Sequence, residues 1–437
     1  MFVKKIVPKN DIKKFLKRFQ SFHPKLIDLS LERVERLLDA LNNPQDNLPP
    51  VIHIAGTNGK GSTLSFIKSG LEAEKKLVHT YTSPHLIKFN ERICIKGKEI
   101  NDSKLREYFS RCEDTNNNSK ITLFEITTCA AFLAFSESEA DYTLLEVGLG
   151  GKFDATNVIK NPVLTIITPI SLDHEQYLGE NLIQIADAKA GVLKPNTPAI
   201  IGRQERNAMQ RIREVAKQTH SPLHIFGYDW LSYKKDNRLI FEDNNEILEL
   251  AVPSLVGDHQ YENAGMAVAA LKYLNVSKSS INSGIENAIW PARLQKLNLG
   301  PYVSLLKELN FNGEIWVDGG HNDSAATAIT NFLKSEQVEE NHVICGMINS
   351  KDVDGFLQKF ANVVESFTAI RIPEETNSHT IDKIYSSAER FFINSYKANS
   401  LHAAIENVCK THPPQKSARI MICGSLYLSG YVLRNHS

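Results

Sequence analysis

Residues 53–70 have the sequence HIAGTNGKGSTLSFIKSG and look like a phosphate-binding loop whose glycines are unusually spaced. The standard loop, G-x-x-x-x-G-K-[ST], keeps four residues between its glycines and a hydroxyl directly after its lysine. Here two residues separate Gly56 from Gly59, and a third glycine stands between the lysine and Ser62. Taken alone, the stretch fits both a nucleotide site of another lineage and an ordinary turn that uses glycines for tightness.

The surroundings of this loop favour an anion site. The apolar run VIHIA directly before it predicts a buried strand, and residues 62–74 have helical periodicity. The backbone N–H groups of a glycine-rich loop and the N-terminus of the following helix together bind anions. Lys60 would add a positive charge for the phosphates of a nucleotide, and a hydroxyl of Ser62 or Thr63 would reach a Mg²⁺ ion.

The order of predicted strands and helices indicates the fold class. Apolar runs such as LVHTYTS, DYTLLEVGLGG, PVLTIITPI and PAIIG alternate with helical patterns, which is typical of a mainly parallel α/β sheet with helices on both faces. Helical patterning stops near ARLQKLNLGP, and further strand-like runs follow it. We therefore expect an N-terminal phosphate-loop α/β domain over 1–294, a hinge over 295–300 and a smaller Rossmann-like α/β domain over 301–437.

The composition excludes several classes of function. The 437 residues include 50 basic and 50 acidic side chains, which is no signature of a nucleic-acid or anionic-membrane partner. The longest apolar runs, such as CAAFLAF, are too short to span a membrane. The 6 cysteines are scattered without a CxxC pair and the N-terminus shows no apolar signal core, so we expect a cytoplasmic globular protein.

Polar side chains mark the ends of four predicted strands. Lys60 and Ser62 follow the first strand, Ser83 follows the second, Glu146 lies at the third, and His174 follows the fourth. Ligands of open parallel sheets bind beyond the carboxyl ends of the strands, so these side chains predict one nucleotide and metal site. Mg²⁺ prefers oxygen ligands, which suits the carboxylate. The imidazole is an unusual Mg²⁺ ligand, and by itself it is more often a helix cap or a packed residue.

Three further polar residues stand in helical or hinge-like surroundings. Lys189 lies among Ala and Gly in IADAKAGVLK, which predicts burial, and a buried lysine is costly unless it is paired or chemically altered. Asn263 is expected at a helix start and Arg293 at the hinge. For these two residues, a helix cap and a surface charge are the alternatives.

Taken together, the motifs resemble the Mur ligase superfamily, and within it the folylpolyglutamate synthases. In order along the chain they are HIAGTNGKGST, TSPHLIKFNERI, LFEITT, LEVGLGGKFDATN, LDHEQYLG, IADAKAGVLK and GSLYLSG. The superfamily uses the shortened loop with its additional glycine, so the unusual spacing is a mark of lineage. The resemblance implies ATP-dependent amide ligation, in which the γ-phosphoryl group of ATP converts a carboxylate to an acyl phosphate that an amine then attacks.

The resemblance also implies roles for individual residues. The ATP phosphates would contact Gly56, Thr57, Asn58, Gly59, Lys60, Gly61 and Ser62. Further nucleotide contacts would come from Asn263, Arg293 and Asp318. Two Mg²⁺ ions would be held by Ser62, Ser83, Glu146 and His174. The catalytic residues would be Lys60, His174, Lys189 and His321, with Lys189 carbamylated.

A segment near the N-terminus bears on the acceptor substrate. Its sequence, HPKLIDLSLERVERLLDAL, resembles the segment with which bifunctional bacterial members hold dihydropteroate. The residues that correspond to this pterin pocket are Asp28, Leu29, Phe124, Glu125, Phe153, Asp154 and Ala155. Such enzymes join L-glutamate to dihydropteroate and then extend the glutamate tails of reduced folates. For residues 25–42, a plain amphipathic helix preceded by a turn is the alternative.

Other interpretations remain open at this point: a monofunctional folylpolyglutamate synthase, a peptidoglycan-type ligase or a nucleotide-dependent switch. The switch is disfavoured because the chain has no Asn-Lys-x-Asp motif and a switch has no need for Lys189. The chain departs from the family in Lys152, where arginine is common, in Ala292, where glycine is common, and in the second glycine of DGGHN. Lys152 keeps the positive charge of arginine but cannot form the two parallel hydrogen bonds of a guanidinium group. We expect small-molecule substrates and a monomer.

Overall fold

A computed structural model describes residues 11–25, 27–335, 338–392, 394–411 and 416–435 of the protein. Contacts within the chain divide it into two compact units. The described residues of the first unit fall within Met1–Tyr233, Ile240–Ala251 and Asn263–Asn287, and those of the second within Lys234–Leu239, Val252–Glu262 and Ala288–Ser437. The division at 294 and 301 that we expect from the sequence stays a prediction.

The first unit is built on an eight-stranded sheet. Its strands are β1 (Val51–Ala55), β2 (Val78–Tyr81), β3 (Ile93–Ile95), β4 (Lys98–Glu99), β5 (Tyr142–Glu146), β6 (Leu164–Ile167), β7 (Ala199–Ile201) and β8 (Leu223–Ile225). They lie in the order β4-β3-β2-β5-β1-β6-β7-β8. The strand β3 pairs antiparallel with β2 and β4, and the other pairs are parallel. All five residues of β1 are buried, as expected for a central parallel strand with an apolar sequence.

Ten α-helices lie before residue 288 in the described part of the chain. They are α1 (Asp11–Ser21), α2 (Glu32–Ala40), α3 (Lys60–Ala73), α4 (Asp102–Asn116), α5 (Leu123–Ser136), α6 (Glu175–Leu178), α7 (Leu182–Ala190), α8 (Arg206–Thr219), α9 (His259–Tyr273) and α10 (Lys278–Asn287). One apolar core contains Phe19, Phe109 and Phe132 of α1, α4 and α5. Another contains Ile185 of α7 and Ile212 of α8.

Two further sheets complete the chain. The strands β9 (Trp230–Lys235), β10 (Arg238–Asp243) and β11 (Ile247–Leu250) form a small sheet in the order β11-β10-β9. The strands of the six-stranded sheet are β12 (Gln295–Lys296), β13 (Gly313–Val317), β14 (Glu340–Cys345), β15 (Ser366–Ala369), β16 (Ser395–Lys397) and β17 (Ala418–Cys423). Their order is β12-β13-β17-β14-β15-β16, and β12 alone among these six strands runs antiparallel.

The helices that accompany the six-stranded sheet follow its strands in alternation. They are α11 (Pro301–Glu308), α12 (Asp323–Ser335), α13 (Val353–Leu357), α14 (Ile381–Ala388), α15 (Leu401–Thr411) and α16 (Leu426–Arg434). Their core contains Phe332, Phe356, Phe360 and Phe367, all buried. Among the described residues, none of the helices combines the length and apolar character needed to cross a membrane.

The predicted α/β class with a large mainly parallel sheet and a second, smaller α/β sheet is confirmed. The boundary of one helix differs slightly: α3 begins at Lys60, two residues before the start that its helical periodicity predicts. The strands β2, β5, β1 and β6 are consecutive neighbours that run parallel. Their carboxyl ends therefore meet at one edge, and the polar residues that follow them are brought together there.

Candidate active site

The phosphate loop joins β1 to α3 and requires glycine at two positions. Gly56 has φ +145° and Gly59 has φ +88°, conformations that residues with side chains rarely adopt. A Cβ atom at Gly56 would overlap the hydroxyl of Thr168, and one at Gly59 would overlap the side-chain oxygen of Asn263. The glycines of the opening motif are thus needed both for the turn and for the close approach of two other segments.

The segment after β6 holds this loop in place. The Thr57 N–H donates to Pro169 O at 3.0 Å, and the Thr57 hydroxyl donates to Ser171 O at 3.1 Å. The Thr168 hydroxyl donates to Asn58 O at 2.7 Å. Thr168 was not among the residues that we predicted from the sequence, because it lies within the predicted strand run PVLTIITPI, whereas β6 ends just before it at Ile167.

Asn263 lies beside the loop, although its place in the helix differs from our expectation. It is the fifth residue of α9 and not its first, because α9 already begins at His259. Its carbonyl oxygen accepts a hydrogen bond from the Thr63 hydroxyl at 3.5 Å. Asn263 is therefore positioned by helix packing against the loop, and its proposed alternative role as a helix cap is wrong.

Two lysines converge on one carbonyl of the loop. The Lys60 ammonium donates to Gly56 O at 3.1 Å and to Thr57 O at 3.2 Å. Lys189 comes from α7 and donates to the same Gly56 O at 2.8 Å. Lys189 is 5% exposed, so its predicted burial is confirmed. The amines of two lysines therefore meet at the side of the loop that faces α7.

This arrangement changes the acidity of Lys189. Burial, and secondly the positive charge of Lys60, lower the pKa of Lys189 to about 7, although Asp173 and Asp154 act in the opposite direction. A large fraction of this amine is consequently neutral near neutral pH. Asp187, two residues before Lys189 in α7, accepts from Arg211 Nη2 at 2.6 Å.

The predicted oxygen ligands of Mg²⁺ lie at the strand ends of the same edge. Glu146, the last residue of β5, is buried, and its Oε2 accepts from the backbone N–H of Ser83 at 3.1 Å. Ser62 is buried in the first turn of α3. The described part of the chain has no cluster of three or more His, Cys, Asp and Glu side chains that would bind a metal by itself. A single carboxylate with hydroxyl groups fits Mg²⁺, which usually takes its remaining ligands from phosphates and water.

His174 is more exposed than the other predicted ligands. It precedes α6 in the left-handed conformation, with φ +54°, and its side chain is 38% exposed. Its Nε2 lies 4.0 Å from Asp173 Oδ1, and its backbone N–H donates to the same oxygen at 2.9 Å. The imidazole is thus close to an acidic partner at the same edge, and its role as a ligand stays a prediction.

In the second unit, Asp318 organises the turn after β13. Its Oδ2 accepts from the Leu294 N–H at 2.8 Å, and its Oδ1 accepts from the Gly320 N–H at 2.6 Å. His321 Nδ1 lies 2.9 Å from Gly319 O. The structure therefore gathers two of the predicted residues in one turn, and the Asp318 carboxylate holds that turn together.

Arg293 and Ala292 lie in the segment that Asp318 holds. The Arg293 Nη1 donates to Ala292 O at 2.9 Å. Ala292 is buried in the left-handed conformation, with φ +57°. Glycine adopts this conformation at little cost, which gives a physical reason for the glycine that is common here in the family.

The predicted acceptor residues Asp28 and Glu125 are joined by an arginine that the sequence analysis missed. Arg33 Nε and Nη2 donate to the two carboxylate oxygens of Glu125 at 3.1 and 2.9 Å. Arg33 Nη1 donates to Asp28 Oδ2 at 2.9 Å, and Nη2 donates to Asp28 O at 2.6 Å. We call Asp28, Arg33 and Glu125 the Arg33 clasp. The sequence offered no signal that separates Arg33 from Arg36 of the same helix.

A cavity of about 540 Å³ lies in the first unit next to these residues. Its apolar wall consists of Leu29, Leu149, Phe153, Tyr177, Leu178 and Ile183, and its polar side chains are Lys152, Gln184, Asp187 and Arg211. Leu29 and Phe153 are predicted substrate residues, so the structure places two of them in one cavity. A second cavity, of about 650 Å³ between α8 and β8, contains none of the predicted site residues.

Asp154 and Ala155 are buried and do not line this cavity. Asp154 accepts hydrogen bonds from the backbone N–H groups of Leu149 at 2.8 Å and Thr156 at 3.0 Å. Burial raises the pKa of Asp154, and these hydrogen bonds act against that rise. Phe124 packs with its ring against Gly148, where a Cβ atom would overlap it. These residues shape the cavity wall from behind.

The chain matches two family models. Residues 54–271 match the Mur ligase middle domain, and residues 302–435 match the C-terminal domain of dihydrofolate synthetase. Two relatives are similar over most of the chain. The probable dihydrofolate synthetase of Schizosaccharomyces pombe is 31% identical over 93% of this chain and 98% of its own length. The dihydrofolate synthase/folylpolyglutamate synthase of Escherichia coli is 34% identical over 81% of this chain and 80% of its own length.

Solved structures agree with these matches. Escherichia coli FolC in complex with DHPP and ADP has a TM-score of 0.86, with 29% identity and coverage of 98% of both chains. The bifunctional folylpolyglutamate synthase/dihydrofolate synthase of Yersinia pestis complexed with AMPPNP and Mn ion has a TM-score of 0.84, with 27% identity and coverage of 98% of both chains. Because sequence and fold agree in this way, we conclude that this chain belongs to the dihydrofolate synthase/folylpolyglutamate synthase family of ATP-dependent ligases, which share the Mur ligase fold.

Proposed function

We propose that this chain uses ATP to join L-glutamate to dihydropteroate and that it also extends the glutamate tails of reduced folates. The names of the two relatives support these activities, since one is a probable dihydrofolate synthetase and the other carries both activities in its name. The alternative, a monofunctional folylpolyglutamate synthase, predicts turnover of reduced folates without turnover of dihydropteroate.

The position of helix α7 carries this proposal. Ala188 lines the cavity that contains Leu29 and Phe153, and the next residue, Lys189, contacts Gly56 of the phosphate loop. An acceptor acid with an aromatic ring suits the apolar wall of this cavity. Its carboxylate would then lie within a few side chains of the phosphates of ATP, which is the arrangement that a phosphoryl transfer requires.

The reaction proceeds in two steps. A carboxylate oxygen of the acceptor attacks the γ-phosphorus of ATP, the bond to ADP breaks, and an acyl phosphate forms. The amine of L-glutamate attacks the acyl carbon, phosphate leaves, and the amine nitrogen loses a proton. Lys60 and the N–H groups at the start of α3, from Gly59 to Ser62, stabilise the negative charge of the transferring group, because they are already oriented when the charge develops.

We propose that Ser62, Ser83, Glu146 and His174 hold Mg²⁺ at this site. The manganese in the Yersinia pestis structure supports a divalent cation in the family. Glu146 is suited to this role because it is buried at the sheet edge and its orientation is fixed by the Ser83 N–H. When bound, the cation adds positive charge at the phosphates.

Lys189 is proposed to carry a carbamate. Its neutral amine adds to the carbon of CO₂, a C–N bond forms and one proton is released, which leaves an anionic oxygen group on the side chain. The lowered pKa of Lys189, about 7, supports this reaction because only the neutral amine is a nucleophile. An anion here would offset the positive charge of Lys60 and of a nearby cation.

The test is an acceptor comparison with purified protein, ATP, Mg²⁺ and L-glutamate. We expect release of ADP that depends on both glutamate and dihydropteroate, and a lesser or equal rate with tetrahydrofolate. ADP release with tetrahydrofolate but not with dihydropteroate would favour the monofunctional alternative. ADP release with neither acceptor would contradict the proposal. The monomeric state and the cytoplasmic location that we expect from the sequence stay predictions.

A further inference from the structure

Arg33 joins two parts of the chain that are far apart in sequence. It is the second residue of α2, whereas Glu125 lies in the first turn of α5, 92 positions later. Among the described residues it makes four side-chain hydrogen bonds, two to Glu125 and two to Asp28. The flat guanidinium is suited to this geometry because its N–H groups point in fixed directions in one plane.

Two members of the Arg33 clasp are shielded from solvent, and the third, Asp28, is 31% exposed. The side chain of Arg33 is 18% exposed and that of Glu125 is 4% exposed. Burial would raise the pKa of Asp28, but the charges of Arg33 and Lys25 outweigh it and lower that pKa. A buried carboxylate that loses its cation is strongly unfavourable, so the clasp has one stable arrangement. Both oxygens of Glu125 are occupied by Arg33, and Oε2 also accepts from the Thr122 N–H at 2.7 Å.

One neighbour of the clasp lines the cavity, and another packs behind its wall. Leu29, directly after Asp28, lines the cavity. Phe124, directly before Glu125, packs against Gly148, and the residue after Gly148 is Leu149, which lines the same cavity. The hydrogen bonds of Arg33 therefore link Leu29 to the segment that contains Phe124.

We infer that Arg33 is a positioning residue for the acceptor acid, which acts by holding Leu29 and Phe124 at the separation that the acceptor ring requires. This inference rests on the proposed function, since it assumes that the cavity binds the acceptor. All four hydrogen bonds described for Arg33 go to Asp28 and Glu125, and none goes to the phosphate loop. A substitution of Arg33 should therefore change the KM for the acceptor and leave the KM for ATP nearly unchanged.

The test compares Arg33→Lys with a matched control, Arg36→Lys. Arg36 lies in the same helix and donates to Asn116 Oδ1 at 2.8 Å, away from the cavity-lining residues. Lysine keeps the charge but supplies one point of attachment instead of a fork. We expect Arg33→Lys to raise KM for dihydropteroate about tenfold or more, because a displaced wall misplaces the ring. The KM for ATP and kcat should change little, and Arg36→Lys should resemble the parent in all three constants.

Thermal unfolding of each variant shows whether a change in KM reflects loss of fold. If Arg33→Lys does not fold, Glu125→Gln takes its place, because Glu125 does not line the cavity and glutamine keeps the size of its side chain. The parent is assayed first: no dihydropteroate turnover there contradicts the proposed function itself. If the parent is active, two results overturn the positioning role of Arg33. One is an unchanged KM for dihydropteroate in the folded clasp variant, and the other is an equal rise of this KM in Arg36→Lys.

Discussion

At the scale of single residues, the side chain of Lys60 has the clearest expected effect on activity. Its described hydrogen bonds go to two carbonyl groups of the phosphate loop, so Lys60→Ala removes a charge next to the phosphates and little packing. We expect kcat/KM for ATP to fall about 10²-fold or more, with a melting temperature within about 2 °C of the parent. Lys68→Ala, two turns further along α3, is the matched control. Near-normal kinetics in folded Lys60→Ala would remove the phosphate-loop assignment.

Lys189 allows a second test at this scale. Lys189→Ala should be nearly inactive, and formate or acetate should restore part of the activity by supplying the missing anionic oxygen. Because the pKa of Lys189 is about 7, the neutral amine predominates above that pH, and labelling of the parent with ¹³C-bicarbonate should increase from pH 6 to pH 8. Formate should not rescue Lys60→Ala. Full activity of a preparation that lacks the carbamate signal would end this proposal.

At the scale of elements, the start of α5 couples stability to the acceptor site. Thr122 Oγ1 accepts from the Glu125 N–H at 3.3 Å, and Glu125 Oε2 accepts from the Thr122 N–H at 2.7 Å. Thr122→Ala should lower the free energy of unfolding by about 1 kcal/mol and raise KM for dihydropteroate, since Glu125 also belongs to the Arg33 clasp.

The matched control for this cap is Thr380→Ala at the start of α14. Thr380 Oγ1 accepts from the Lys383 N–H at 3.2 Å, and the helix lies in the second unit. Chemical denaturation should show a similar loss of stability for both variants, whereas steady-state kinetics should show a raised KM for Thr122→Ala alone. Equal KM values in the two variants would mean that the start of α5 does not control the acceptor site.

At the scale of the whole molecule, a buried histidine at the centre of the large sheet makes stability depend on pH. His53 of β1 is fully buried with Nε2 2.8 Å from Thr156 Oγ1, and burial, with the charge of Lys194, lowers its pKa from 6.5 to about 3. Protonation therefore favours the unfolded chain, so this contribution is complete above pH 6.5 and is lost as the pH falls towards 3.

Urea denaturation at pH 7.5 and pH 4.5 measures this contribution. The difference between the folded and unfolded pKa of His53 predicts that this residue accounts for a loss of up to about 3 kcal/mol in the free energy of unfolding between these two pH values. His53→Gln should lose less than the parent over the same range. His224→Gln, at an exposed position of β8, should lose as much as the parent. Equal losses in all three proteins would contradict the assignment to His53.

Much of this molecule follows from local features of its sequence. Apolar runs and helical periodicity predict the α/β class, because each strand and helix must bury one face or more. The glycines at 56 and 59 predict a tight strand-to-helix turn, and the small apolar neighbours of Lys189 predict its burial, which the structure confirms. In each case the signal lies within a few residues of the feature that it predicts.

Contacts between distant parts of the chain follow only from the tertiary structure. Lys189 meets Gly56 across 133 positions, and Arg33 meets Glu125 across 92. Asn263 reaches the phosphate loop from the second turn of α9, not from a helix start. A charged side chain on a helix can pair with any acceptor that packing brings near it. Its partner is selected by the strand order β2-β5-β1-β6 and by the helices against that sheet, which depend on the packing of the whole unit.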